Sequence, residues 1–156
     1  MDTIHSLARR IVGREESPSM GIIDSRSVKT SHHVDSDRGI DGNKKVKRRK
    51  EHIVVDTLGL PMAVAVHEAN LHDSKGAPKV IEKVADKFGW VVEVVLRPDE
   101  CPSKFCVIPK RWIVERTFSW LENFRRLTID YEYLAETAEA MVQLACVQIM
   151  LNRFFV

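Results

Sequence analysis

The stretch GIIDSRSVKT, residues 21–30, decides how the rest of the chain is read. Ile22, Ile23 and Val28 alternate with small polar residues, and β-branched side chains of this kind suit a pleated, half-buried strand. Asp24 stands near the centre of that strand. Residues 31–43 are polar and contain glycine, which predicts a loop. The loop leads into the basic run Lys44-Lys45-Val46-Lys47-Arg48-Arg49-Lys50. Beyond it, HIVVDTLG and LPMAVAVH flank a Leu-Gly turn and predict a hairpin of residues 52–57 and 61–67.

Further along, Asp73 and Ser74 can cap a helix over 74–88, whose Val80, Ile81, Val84 and Phe88 fall on helical spacing, and Gly89 stops it. WVVEVVLR (90–97) predicts another strand, PDECPSKF a loop, and CVIP a short extended piece. Two helices follow, at about 110–127 and 135–155. The second is apolar on more than one face: it either closes a face of the sheet or offers Met141, Leu144, Met150 and Leu151 to a second copy. Before the first strand, residues 4–12 are amphipathic with a helical period and have no evident partner, which reads as a truncated frame or a docking helix. GREESPS then breaks the helix, and no internal repeat or low-complexity tract occurs.

The chain has 156 residues, 44% of them apolar and 29% charged, which fits one soluble domain with a core of its own. A net charge of +2 excludes a polycation, so a nucleic-acid surface has to come from local clustering. Three cysteines, no signal peptide and no apolar run near eighteen residues point to a reduced cytosolic setting and no membrane span. Cys101 and Cys106 lack partners at zinc spacing and read as unligated thiols. His32, His33, His52, His67 and His72 show no i,i+4 metal spacing and read as surface or hydrogen-bonding residues.

KRWIVERTF (110–118) places Trp112, Ile113 and Phe118 beside Arg111, Glu115 and Arg116. Arg111 and Glu115 are one turn apart on a helix face, the spacing of an ordinary surface ion pair but also of a carboxylate with a phosphate-holding cation beside it. Trp112, Phe118, Trp120, Leu121 and Phe124 recur at helical spacing and predict core packing, with Arg125 and Arg126 on the polar side as phosphate contacts.

Four blocks in this order resemble the catalytic domain of DDE-class bacterial insertion-sequence transposases, in the branch named for insertion sequences four and five. They are residues 21–30, the basic run with HIVVDTLGL (52–60), ANLHDS (69–74), and PKRWIVERTFSWL (109–121). The resemblance covers nearly everything after Ser19. It implies an α+β, ribonuclease-H-like fold with a mixed sheet of three antiparallel strands plus one crossover strand, and helices on the faces. It divides the chain into an N-terminal helix and linker, 1–18, and a catalytic domain, 19–156.

The resemblance also implies roles for residues. Asp24 and Glu115 match the first and third catalytic acids and would hold Mg²⁺ or Mn²⁺, and Arg111 matches the arginine of the R-x-x-x-E signature. Two-metal sites of this kind activate water or a 3′-hydroxyl for in-line attack on a phosphodiester. Double-stranded DNA with terminal inverted repeats would be the partner, met by Lys44, Lys45, Lys47, Arg48, Arg49, Lys50, Arg116, Arg125 and Arg126. A homo-oligomer, or a mixed oligomer with intact transposase, and a cytoplasmic, nucleoid-associated location follow.

The chain departs from the pattern at one place. The strand carrying the family's second Asp is absent, as though it and most of its flanking helices had been deleted between 74–88 and 90–97. Asp86 sits in helical periodicity without a strand before it, Asp56 lies at a hairpin edge, and Asp73 is a helix cap, so none is a close replacement. The expectation is a degenerate transposase with weakly held metal and impaired cleavage; the alternative is a non-catalytic DNA-binding remnant. The fused helix would still make a right-handed crossover that sets strand 90–97 beside 21–29.

Overall fold

In a computed structural model of the chain, the residues described are 1–32, 34, 39–40, 47–70, 73–90 and 110–152. The β-branched run forms β1 (Gly21–Thr30), and the chain then returns through β2 (Gly39–Ile40), β3 (Lys47–Asp56) and β4 (Pro61–Glu68). Four helices flank them: α1 (Asp2–Ile11), α2 (Asp73–Phe88), α3 (Arg111–Glu122) and α4 (Ala135–Leu151). A 3₁₀ turn, Arg125–Leu127, and the short β5 (Ile129–Asp130) lie between α3 and α4. The architecture is α+β. Among the described residues, no helix is long and apolar enough to cross a membrane.

β3 is the centre of the mixed sheet. It runs antiparallel to β1 on one side and to β4 and β2 on the other, while β5 joins β1 in parallel at Lys29 and Thr30. The strand expected at 90–97 lies outside the described residues except for Trp90, and β5 is the parallel neighbour of β1 seen here.

Two expectations change. The hairpin strand expected from residue 52 begins at Lys47, because Arg48–Lys50 pair with β1, Arg49 and Lys50 with β4, and Lys47 and Arg48 with β2, despite the poor strand preference of lysine. Lys44 and Lys45 lie outside the described residues. The segment read as a loop at 31–43 contains β2, paired to Lys47 and Arg48.

Register sorts the side chains onto two faces, because residues directly opposite in an antiparallel pair share a face. Ile22, Asp24, Arg26 and Val28 face the same way as their partners Val55, Ile53, Glu51 and Arg49. α3 and α4 cover this face, and Ile53, Val55 and Val64 pack there with Val114, Leu121 and Val142. On the other face Val54, Ala63 and Ala65 pack against Val80 and Val84 of α2.

α1 does have a partner. Ala8 packs with Leu60 and Met150, and beneath it Asp56 is fully buried. The Asp56 carboxylate accepts hydrogen bonds from Arg9 Nη1 and from the backbone N–H groups of Leu58 (2.8 Å) and Leu60 (2.9 Å), with His5 Nε2 at 3.4 Å. Burial alone would raise its pKa. The contacts with His5, the Leu60 N–H and Arg9 outweigh burial and hold the carboxyl below its ordinary value.

Candidate active site

The β3–β4 turn sets α3 in place. Gly59 has φ +79, and a Cβ there would lie 2.9 Å from Arg116 Nη2 and 3.1 Å from Thr117 Oγ1, so only glycine lets the helix approach this closely. Thr117 Oγ1 donates to the Gly59 carbonyl at 2.8 Å, and Arg116 Nη2 donates to the Leu58 carbonyl at 2.8 Å. The Arg116 guanidinium is also stacked between the Trp112 and Trp120 rings, 5.0 and 4.9 Å from their centroids. Arg116 thus ties α3 to the turn. Trp112, expected in the core, is 55% exposed and covers that guanidinium from outside. Phe118 and Leu121 are buried as expected.

With α3 docked over β1, its first turn lies above the central acid. Arg111 Nε is 3.2 Å from Asp24 Oδ2 and 3.0 Å from Glu115 Oε1, so acids from opposite ends of the chain converge on one cation. The two oxygens are within two hydrogen-bond lengths of each other. The backbone N–H of Ser25 donates to Asp24 Oδ1 at 2.8 Å. Side-chain exposure grades across the trio, from 22% for Asp24 to 44% for Arg111 and 56% for Glu115.

Two residues beyond Asp24 on the same face, Arg26 Nε donates to Glu51 Oε2 at 2.8 Å beneath the Phe118 ring. Burial pushes the Glu51 carboxyl above its ordinary pKa, Arg26 opposes that shift, and Asp130 adds to it. Arg49, the next cation on this face, is wholly buried. It donates to Asp130 Oδ2 (2.9 Å) and to the carbonyls of Glu132 (2.8 Å) and Tyr133 (2.7 Å). Sequence reasoning misses these two pairs; the only available signal is charged residues alternating within apolar strands.

Alternation divides the basic run. Arg49 is spent inside the fold and has no surface left for a phosphate, while Arg48 and Lys50 point to the face opposite Asp24. Lys47 is exposed, and Arg48 Nη1 donates to the Ser27 carbonyl at 3.1 Å. Arg125 is exposed, and Arg126 is held by Glu132 Oε1 through Nε and Nη2, at 3.1 and 2.7 Å. Of the histidines read as surface or hydrogen-bonding residues, His32 is exposed, while His52 and His67 are buried and stacked at 4.8 Å, with His67 Nδ1 at 2.8 Å from the Glu68 carbonyl oxygen. Cys101, Cys106, His33 and His72 lie outside the described residues, as does the side chain of Asp73.

The pair of carboxylate oxygens is the right chemistry for a hard cation such as Mg²⁺, which accepts one or two protein carboxylates and fills its remaining positions with water and phosphate oxygens. Asp24 and Glu115 therefore fit one ion. Among the described residues no group of three or more His, Cys, Asp or Glu side chains is placed to hold a metal. Asp56 does not complete the set: register puts it on the opposite face, and its oxygens are already engaged. Asp86 is exposed on α2, as its periodicity predicted.

Comparison with known proteins identifies the family. The family described as "Transposase DDE domain" matches residues 15–99 and 94–150. A Burkholderia cepacia protein named as transposase for insertion sequence element IS402 is 30% identical over 132 residues, covering 66% of this chain and 63% of that protein. The chain thus spans less than two thirds of the length of that relative. Two thirds of this 156-residue chain is also fewer residues than the 132 positions aligned, so the alignment crosses positions where this chain has none. No solved structure matches. Over both of its matched stretches, with the two acids of the site falling one in each, the chain belongs to the DDE-domain transposase family of insertion sequences.

Proposed function

We propose that this chain is a DNA-binding transposase domain of ribonuclease-H-like layout, 19–156 preceded by a helix and linker over 1–18, whose phosphodiester chemistry is impaired. The convergence of Asp24 and Glu115 on a single cation carries the reading. A divalent ion bound there would polarise a phosphodiester and activate an attacking water or hydroxyl. Asp24, fixed in a strand and braced by the Ser25 N–H, and Glu115, on the exposed helix, would hold it. Arg111 and the exposed cations Lys47, Arg125 and Arg126 would meet duplex phosphates, Arg126 after leaving Glu132. Lys44, Lys45, Arg48 and Lys50 would add phosphate contacts elsewhere on the chain.

Cleavage through two ions needs further oxygen ligands, and Asp24 and Glu115 supply enough for one. Two observations support loss of the family's second acid: the family match is in two stretches that meet at 94–99, and the alignment to the relative crosses positions this chain lacks. Losing one such electrostatic element costs about 10²–10³ in rate. The test is nicking of terminal-repeat DNA in Mn²⁺ by the parent, Asp24→Ala and Glu115→Ala. The expected result is no nicking above background by any of them. Parent nicking that both substitutions abolish would overturn the impairment and leave a competent site.

A second reading, a non-catalytic remnant that joins intact transposase in mixed oligomers, is favoured by one surface. Tyr131, Tyr133, Leu134 and Leu144 are all exposed, and Leu144 rims a hollow lined by Phe124, Leu127 and Met141. Co-purification of this chain with a tagged full-length transposase tests the second reading, and failure of the two to associate would overturn it.

A further inference from the structure

Two carboxylates this close repel each other unless a cation lies between them, and in this structure the cation is Arg111. A divalent ion held by Asp24 and Glu115 would draw on the same carboxylate oxygens that Arg111 Nε now contacts. Arg111 and the ion therefore compete for those oxygens. Both of its ion pairs are partly open to solvent, and screened pairs of this kind hold loosely enough to exchange. Once displaced, the guanidinium stays at the start of α3, one turn from Glu115, and its planar fork suits a phosphate oxygen pair.

We propose that Arg111 is an exchange cation, closing the Asp24–Glu115 pair when no metal is bound and passing to a nucleic-acid phosphate when metal enters. This inference rests on Asp24 and Glu115 being the ion-holding pair. It makes Arg111 a positioning residue that links the two ligands: metal frees the phosphate-binding group, so metal and duplex each tighten the binding of the other. Reciprocity is required by thermodynamics.

The experiment measures Mn²⁺ affinity by electron paramagnetic resonance for the parent, Arg111→Ala, Arg111→Lys and Glu115→Gln, with thermal melting as the check on folding. Arg111→Ala removes the competitor and is expected to bind Mn²⁺ about three- to ten-fold more tightly, the scale of two screened ion pairs. Arg111→Lys keeps a cation and stays near the parent, and Glu115→Gln binds more weakly. In parallel, Ca²⁺ is expected to tighten the binding of a short duplex to the parent several-fold and to leave Arg111→Ala unmoved. Equal Mn²⁺ affinity in the parent and Arg111→Ala, with Glu115→Gln weakened, would overturn the exchange and leave the metal pair standing. Mn²⁺ affinity unchanged in Glu115→Gln would overturn the metal pair itself, and the exchange with it.

Discussion

Asp56→Asn tests the buried cluster beneath α1. The substitution keeps the shape of the side chain and removes its charge, leaving Arg9, whose side chain is only 6% exposed, without a counter-charge. Leaving one partner of a buried ion pair uncompensated costs about 3–5 kcal/mol. The Leu58 and Leu60 N–H groups retain an oxygen to bond, so the loss centres on Arg9 and His5. For a domain with a total stability of about 5–15 kcal/mol this is a large fraction. Urea denaturation followed by fluorescence should show the midpoint falling by roughly 2 M, given a slope of about 2 kcal/mol per molar. Arg9→Met in the same background separates charge from packing: the double variant should be more stable than the two single losses predict, by about 1–3 kcal/mol of coupling. A loss under about 1 kcal/mol in Asp56→Asn, with no coupling to Arg9, would refute the claim that this carboxylate anchors the N-terminal helix.

Arg49→Ala should cost about 3–5 kcal/mol in the same assay, because Asp130 is left buried and unpaired, while Lys47→Ala combined with Arg125→Ala should leave stability within about 0.5 kcal/mol and lower the salt slope of duplex binding by up to about two units. An unchanged slope would show that those cations do not meet phosphate. Carboxyl titrations by NMR should place Glu51 above 4.5 and Asp56 below 3.8. The signs follow: Asp56 stabilises the fold above its unfolded value and loses that contribution as pH falls through its lowered folded value, whereas Glu51 lowers stability as pH rises through the interval above 4.5. Either midpoint on the other side of its reference value would contradict the geometry. Cys146, buried in α4 with its thiol pushed up to about 12, should resist Ellman's reagent at pH 8 until the protein unfolds.

Local pattern and tertiary context contribute unequally. β1, the hairpin and α2 are legible because Ile22 with Ile23, the branched run Ile53-Val54-Val55 and the spacing of Val80 and Val84 carry their own periodicity. The four cations ahead of Ile53 in β3 have no such signal, and they become strand because β1 on one edge and β4 with β2 on the other supply pairing. The partner of α1 is invisible for a related reason: Arg9 and Asp56 meet across the fold, and neither position marks the other. Asp24, Arg111 and Glu115 are found through family blocks, and the structure brings them together. Periodicity misplaces Trp112 because helical spacing states which residues share a stripe but not which stripe faces in, and the Trp112 ring is taken up by the Arg116 guanidinium instead of the core.

Arg49 has a consequence for how the protein is made. The acceptors Asp130 Oδ2 and the carbonyls of Glu132 and Tyr133 lie more than eighty residues downstream. During synthesis at about 5–20 residues per second, the sheet of β1, β3 and β4 leaves the ribosome several seconds before those acceptors exist. Throughout that interval one face of the nascent sheet carries a hydrated guanidinium among bare valine and isoleucine, which opposes both premature burial and pairing with another chain's apolar strand. The charge that the finished fold neutralises thus serves, while translation is still running, as a gatekeeper on the face that α4 finally seals.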